Sequence, residues 1–309
     1  MKSGHRPAFQ SRFLLPRHWP VWLLVLCSGL LAVMPAPVRA GLADLLSPLV
    51  LRYASKRRRV ALINLALCYP HQSADERSGL LARHARILVH TFLGYGQLLF
   101  RSPRHLRNLF DVHGMNIVKQ TIQEGNNVIL LTPHSLALEY AAQYLTIDHP
   151  MVCAVRVHSS NAVLDWLVSV FRSRYRGIIY DNTGSILGLV KQVRDGNWLY
   201  YLPDEDRGMR NAVFAPFYGI PKASLSVLGK LAKITRATVI PMTTTYCPDR
   251  RRFSISFQEP LGNFTGTDTA AEIMSQNQAI ERIIDTDPAQ YMWSAKIFRT
   301  RPAGESGFY

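Results

Sequence analysis

The chain has 309 residues, of which 48% are hydrophobic and 18% are charged. This composition excludes an intrinsically disordered protein and predicts either one large packed domain with an anchor or two modest domains. Lys and Arg number 36 against 21 Asp and Glu, which gives a formal charge of +15. Such an excess indicates an anionic partner, which could be nucleic acid, lipid head groups or an acidic protein.

The N-terminal segment predicts attachment to a membrane. Residues 19–38 carry no charge and begin with two tryptophans, and basic residues precede them. About 20 apolar residues can cross a bilayer as a helix, and tryptophan favours the interface. A cleaved signal peptide ending at residue 40 is the alternative. Arg39 within that cleavage-like site favours a retained anchor over residues 1–40, followed by one domain over residues 41–309.

Two further features follow the anchor. Residues 42–53 are apolar and could form a second membrane-associated helix, and the cations at 56–59 that follow would contact anionic head groups or simply begin a solvated helix. Ser73 and Glu76 have the capping-box spacing, so we expect a helix from there to about Phe100.

From residue 111 onward, short apolar runs alternate with helical periodicity, which predicts an α/β domain with a mostly parallel central sheet flanked by helices. The strict alternation at 253–257 predicts a strand that is open on one face. The predicted strands are 127–131, 151–155, 177–180, 198–202 and 237–241, and the predicted helices are 135–145, 161–175, 183–194 and 223–234.

His134 is the candidate general base. It follows the first of these strands, and ligand chemistry in α/β sheets collects at such strand ends. Glu139 stands five residues later, where its carboxylate could orient the imidazole and stabilise its protonated form. Ser135 lacks the elbow sequence of a serine nucleophile, and neither His113 nor His158 stands at metal-ligand spacing with His134. We therefore expect no metal and no cofactor. The four cysteines form no CxxC pair, so buried free thiols are expected.

Three sequence blocks carry a family resemblance. They read YLPDEDRG with VFAPF at 201–217, PAQYMW at 288–293 and FRTRP at 298–302, and PRHW at 16–19 also fits. With the H-x4-D/E element at His134 and Glu139, the chain resembles the bacterial lipid A late acyltransferases of the lysophospholipid acyltransferase-like superfamily. The resemblance covers nearly the whole chain.

The resemblance implies a reaction and its participants. His134, held by Glu139, would deprotonate a hydroxyl of a phosphorylated, Kdo-bearing lipid A precursor. That oxygen would attack the thioester of an acyl carrier protein, with backbone amides or an arginine stabilising the oxyanion. The enzyme would lie in the bacterial inner membrane with its catalytic domain facing the cytoplasm. Five residues are expected at the substrate site: Arg156, Asp204, Asp206, Arg207 and Lys222.

Those roles remain open in detail. Asp204 and Asp206 could orient cations or hold their loop, Lys222 could contact phosphate or begin a helix, and residues 291–293 favour packing over chemistry. Pro133, Ser135 and residues 157–160 depart from the family pattern, which leaves the acceptor and the acyl-chain length undecided. Transfer to another membrane lipid and hydrolysis of a lipid ester or thioester are the alternatives. No nucleic-acid partner is expected, because no binding motif accompanies the charge.

Overall fold

The computed structural model of the chain describes residues 8–154, 161–180, 186–262 and 264–309. Helices alternate with strands beyond residue 110, as the sequence predicts. The helices are α1 Trp19–Val33, α2 Ala36–Tyr53, α3 Ser55–Cys68, α4 Ala74–Phe100, α5 Pro103–Arg107, α6 Met115–Gln123, α7 Leu138–Asp148, α8 Ala162–Arg172, α9 Ile186–Arg194, α10 Leu228–Thr235 and α11 Thr269–Thr286. The strands are β1 Phe110–His113, β2 Asn127–Leu131, β3 Met151–Ala154, β4 Gly177–Tyr180, β5 Trp198–Tyr201, β6 Ala212–Phe217, β7 Ile220–Leu225, β8 Ala237–Cys247 and β9 Arg252–Phe257.

The predicted α/β class is confirmed. In the described residues, seven strands form one sheet in the order β1-β9-β8-β2-β5-β3-β4. The neighbours pair in parallel except β8 with β9, which are antiparallel. Helices cover both faces, so successive residues of a central strand enter opposite cores. In β2, Val128 and Leu130 pack into one core, and Ile129 and Leu131 pack into the other.

A hairpin replaces the start of one predicted helix. The helix expected at 223–234 begins only at Leu228, because the residues before it form β7, which pairs with β6. Lys222 lies opposite Ala215 in this hairpin, and the preceding turn uses Gly219 at a φ of 75°. A left-handed turn of this kind suits glycine, which has no Cβ to clash. Cross-strand pairing thus overrides the apolar run that suggested a longer helix. The strand predicted at 253–257 is confirmed, with alternate residues buried.

Helix α4 supports the N-terminal helices. Its predicted capping box is formed, since the Ser73 side chain accepts from the Glu76 N–H and the Glu76 carboxylate accepts from the Ser73 N–H. Helix α1 meets the end of α4, where Gly96 lies so close to the carbonyl of Ser28 that a Cβ would overlap it. Helix α2 meets the middle of α4, where Asp44 accepts hydrogen bonds from Arg86.

The outer sides of α1 and α2 are apolar and exposed. Leu23, Leu26 and Leu30 are each about 60% exposed, and Leu45 is 67% exposed. Among the described residues, one helical stretch, 16–33, is long and apolar enough by composition to cross a membrane, and 11% of it is buried inside the protein. The predicted apolar segment continues to residue 38, but α1 ends at Val33 and a second helix begins at Ala36. The predicted boundary at residue 40 therefore falls inside α2.

Candidate active site

The sheet brings His134 and Asp204 together by register. Strands β2 and β5 are parallel neighbours, and Leu131 is paired with Tyr201 at their ends. His134 and Asp204 each stand three residues beyond these paired positions. The Thr132 N–H donates to the Tyr201 carbonyl, so the two chains continue side by side past the strands. Equal steps from a paired position therefore place both side chains at the same edge of the sheet.

The Asp204 carboxylate holds His134 with both oxygens. One oxygen lies 2.7 Å from the ring Nδ1, and the other accepts the His134 backbone N–H at 3.0 Å. The Asp204 side chain is 2% exposed and that of His134 is 20% exposed. A carboxylate on Nδ1 favours the tautomer with its proton there, which leaves the Nε2 lone pair free to accept a proton.

Glu139 lies elsewhere, which corrects the predicted contact between it and His134. Its carboxylate is bound by Arg172, whose Nε lies 3.1 Å away and whose Nη2 makes a second bond. The physical reason is the start of α7. The helix was expected from Ser135, but Ser135 is bridged to Tyr291 and α7 begins only at Leu138. Glu139 is therefore in the first turn of α7, where it pairs with the last residue of α8. No sequence pattern singled out Arg172.

The C-terminal tail fixes the His134 loop from its other side. The Met292 N–H donates to the His134 carbonyl, and the Leu136 N–H donates to the Gln290 carbonyl. Tyr291 and Trp293 are 2% and 0% exposed. These aromatic side chains are packed in the interior, and the backbone between them holds the loop that carries His134. Tyr291 also acts on the site, because burial, the charge of Asp204 and a hydrogen bond to Asp204 all raise the pKa of Tyr291.

The electrostatic surroundings favour protonation of His134. Burial by itself lowers the pKa of His134, but the charge of Asp204, their hydrogen bond and the charge of Glu205 outweigh burial and raise that pKa above its ordinary value. Arg207 opposes this rise. Glu205 Oε1 lies 3.7 Å from Nε2 of His134, and its side chain is 45% exposed. An exposed carboxylate thus borders Nε2 of His134.

Behind the pair, a buried lysine balances the charge of Asp204. Lys222 is 1% exposed, and its ammonium group lies 5.5 Å from the centre of the Phe217 ring. Burial lowers the pKa of Lys222, and Asp204 and Asp206 oppose that shift. Burial also raises the pKa of Asp204, but His134 and Lys222 reverse that shift and keep the pKa below its ordinary value. Lys222 therefore acts on Asp204 from inside the protein, and it lies in β7 and does not begin a helix. Its contact with a substrate phosphate stays a prediction.

The other predicted residues have separate positions. Asp206 accepts the N–H of Thr300 at 2.6 Å and its hydroxyl at 2.7 Å, so it holds its loop against the tail, one of the two roles expected of it. Arg207 is paired with Glu205 at 3.0 Å. The Ser135 side chain is buried and bonds to none of the described residues, His134 included. Arg156 lies outside the described residues.

Comparison with known proteins identifies the family of the chain. The sequence profile of the family described as bacterial lipid A biosynthesis acyltransferase matches residues 6–300. The chain belongs to this family. It is therefore an acyltransferase, and the predicted family is confirmed.

Similar proteins align over nearly their full lengths. A lipid A biosynthesis acyltransferase of Haemophilus influenzae is 31% identical, covering 98% of this chain and 95% of that one. The lipid A biosynthesis myristoyltransferase of Escherichia coli is 29% identical, covering 98% and 94%. The lauroyltransferase of the same organism is 27% identical, covering 98% and 99%. These relatives differ in the acyl group that they are named for, so membership of the family leaves the chain length open.

Proposed function

We propose that this acyltransferase moves a fatty acyl group from acyl carrier protein to a hydroxyl of a Kdo-bearing lipid A precursor. The hydrogen-bonded pair of His134 and Asp204 carries this proposal. It supplies a base whose tautomer is fixed by a buried carboxylate and whose side chain is 20% exposed. Family membership supplies the class of acceptor, and the positive charge suits both an acidic carrier protein and a phosphorylated lipid.

The reaction proceeds by direct transfer. His134 Nε2 accepts the proton of the acceptor hydroxyl as its oxygen attacks the thioester carbonyl carbon. Collapse of the tetrahedral intermediate breaks the carbon–sulfur bond, and the imidazolium returns its proton to the departing thiolate. Asp204 orients the ring and stabilises the imidazolium without taking the proton itself. In this assignment Asp204 has the role first expected of Glu139, and Glu139 with Arg172 ties α7 to α8 beside the site.

The membrane location belongs to the same proposal. The exposed apolar sides of α1 and α2 would lie in the cytoplasmic leaflet of the inner membrane, with the sheet domain facing the cytoplasm. Both substrates are reached from that side, since acyl carrier protein is soluble and the acceptor is a lipid. The cations at 56–59 begin α3 directly after α2, where they would meet anionic head groups.

The decisive experiment is acyl transfer in detergent, comparing the natural chain with His134→Ala. Lauroyl, myristoyl and palmitoyl carrier-protein thioesters serve as donors, and a Kdo-bearing tetra-acyl precursor serves as acceptor. We expect a penta-acyl product whose formation falls at least about 100-fold in the variant, the scale of a lost general base. Folded protein that yields no product with any donor would refute the proposed acceptor.

The same assay separates the alternatives. Free fatty acid released without acylated lipid would identify a hydrolase in which water replaces the hydroxyl. Product formed only on another hydroxyl-bearing membrane lipid would retain the chemistry and change the acceptor.

A further inference from the structure

A polar cavity lies at the bend between α1 and α2. Its volume is about 260 Å³, and neither His134 nor Asp204 lines it. The bend closes one side, α4 and α5 close another, and the strands β8 and β9 form the floor. The polar residues that line it and matter to its chemistry are Arg39, Arg101, His105, Tyr140, Tyr246 and Arg251.

Three guanidinium groups meet at this cavity without a carboxylate in its lining. Within the described part of the chain, Arg39, Arg101 and Arg251 have no ion pair. Arg86 differs from them. It lies in α4, which ends just before Arg101, and it is bound to Asp44 and to Asp249. His90, which also lines the cavity, is bound to Asp44 as well. Asp44 and Asp249 are thus paired with other residues. Among the described residues, no carboxylate neutralises the charge of the three arginines.

Electrostatic effects connect Arg39, Arg101 and His105 within the cavity. Burial lowers the pKa of Arg39, Tyr140 and Tyr246 oppose that shift, and the charge of Arg101 adds to it. Burial also lowers the pKa of His105, and both Arg101 and Arg39 add to that shift. Grouping like charges in a partly buried space costs free energy unless an anion joins them.

Arg39 has hydrogen-bonding capacity left for a ligand. Its Nη1 donates to the carbonyls of Leu31 and Met34 at the end of α1, which explains why the side chain is held at the bend. A guanidinium has five N–H donors, and in the described residues no partner is found for those on Nε and Nη2. A planar fork of donors matches the oxygens of a phosphate group.

The mouth of the cavity lies where a membrane lipid would reach it. Val33 and Pro35 are both exposed and line the cavity, and Val33 is 64% exposed. Val38 continues the exposed apolar surface along α2. Arginines placed just inside an apolar rim favour a ligand whose phosphate is joined to acyl chains.

We propose that this cavity binds the phosphate head group of a membrane lipid, at a site separate from the catalytic pair. The bound phosphate would bridge α2 through Arg39, the end of α4 through Arg101 and the β8–β9 turn through Arg251. The membrane would thereby fix the bend of the anchor against the sheet domain.

The test measures ligand binding to the full chain in neutral detergent by native mass spectrometry. Four probes separate the parts of the ligand: short-chain phosphatidic acid, short-chain phosphatidylcholine, the matching diacylglycerol and inorganic phosphate. Arg101→Gln and Arg251→Gln each remove one cation from the cavity. Arg104→Gln is the matched control, because Arg104 is exposed, does not line the cavity and carries the same charge.

We expect each cavity variant to weaken the binding of phosphatidic acid about tenfold, the effect of losing a charge-assisted hydrogen bond, and the control variant to leave it unchanged. Inorganic phosphate that binds as tightly, with the same dependence on both arginines, would support the phosphate site but assign it to free phosphate. Diacylglycerol should show no binding that depends on these arginines.

A thermal scan gives a second readout that does not depend on counting ligands. Phosphatidic acid should raise the unfolding midpoint of the natural chain and of Arg104→Gln more than that of the cavity variants at the same lipid concentration. Without ligand, the cavity variants should unfold no earlier than the natural chain, since they relieve repulsion. Equal loss of binding in all three variants, or in none, would overturn the proposal, because the charge would then act only as a diffuse surface.

Discussion

Asp204 acts on His134 through a ring hydrogen bond and a backbone hydrogen bond, so it sets both the tautomer and the position of the base. We expect Asp204→Asn to lower kcat by about 10²–10⁴-fold, because an amide can present its N–H to Nδ1 and favour the wrong tautomer. Steady-state acyl transfer with a saturating donor measures this effect.

Glu139→Gln provides the contrast to that substitution. It breaks a largely buried pair with Arg172, so it should destabilise the fold by about 3–5 kcal/mol while leaving the pH dependence of transfer unchanged. The unfolding midpoint and the pH profile are measured on both variants. The opposite result would assign the orienting role to Glu139. In that case Glu139→Gln would keep its stability and shift the pH profile, and Asp204→Asn would transfer acyl groups at the normal rate.

The pH dependence of transfer follows from the raised pKa of His134. A general base must be neutral, so activity is lost as pH falls through the pKa of His134, which lies above its ordinary value. We expect the acid limb of kcat/KM to lie above pH ~6.5. Arg207→Gln removes a cation that lowers this pKa, so the limb should move to higher pH. A limb that moves to lower pH in this variant would contradict the assignment of the limb to His134.

At the scale of elements, the contact between α1 and α4 depends on a glycine. A Cβ at Gly96 would overlap the Ser28 carbonyl, so Gly96→Ala should push α1 away and destabilise the fold by about 1–3 kcal/mol. Gly79 is the control on the same helix, since a Cβ there meets nothing within 4 Å. Gly79→Ala should be neutral or stabilising, because alanine favours the helix. Thermal unfolding and protease cleavage of α1 compare the two; equal behaviour would argue against close packing at Gly96.

The hairpin of β6 and β7 supports the candidate active site. It carries Lys222 into the interior, where Asp204 and Asp206 act on its charge, and Asn277 of α11 donates to Pro216 and Ser224 of the hairpin. The tail closes the same region through Thr300 and Met292. The sequence blocks that resemble the family thus come from distant parts of the chain. Together they support the two loops that carry His134 and Asp204.

At the scale of the whole molecule, the charge of +15 should govern the capture of the donor. Attraction between separated surface charges weakens as salt shortens the screening length, which is about 10 Å at 0.1 M. We expect KM for an acyl carrier protein donor to rise about tenfold between low and high salt, with a smaller change in kcat. An acyl-pantetheine donor lacks the acidic protein and serves as the control. Equal salt dependence of the two donors would show that the charge does not act on the carrier protein.

The sequence was sufficient for local structure and for the family. The capping box at Ser73, the apolar strands and the helices between them follow from neighbours along the chain, which is why α4, β2 and β5 are found where they were predicted. Three spaced blocks identified the family without any contact between them being known. His134 could also be chosen, because it directly follows a strand.

The partner of His134 was decided only by the tertiary structure. Asp204 stands 70 residues away along the chain, and β3 and β4 intervene in sequence. The sheet places β5 directly beside β2, and the register then aligns the residues beyond Leu131 and Tyr201. Strand order is set by the packing of whole elements, so no local spacing reveals it. Glu139, five residues from His134, was the nearer carboxylate in sequence, but the late start of α7 directs it to Arg172.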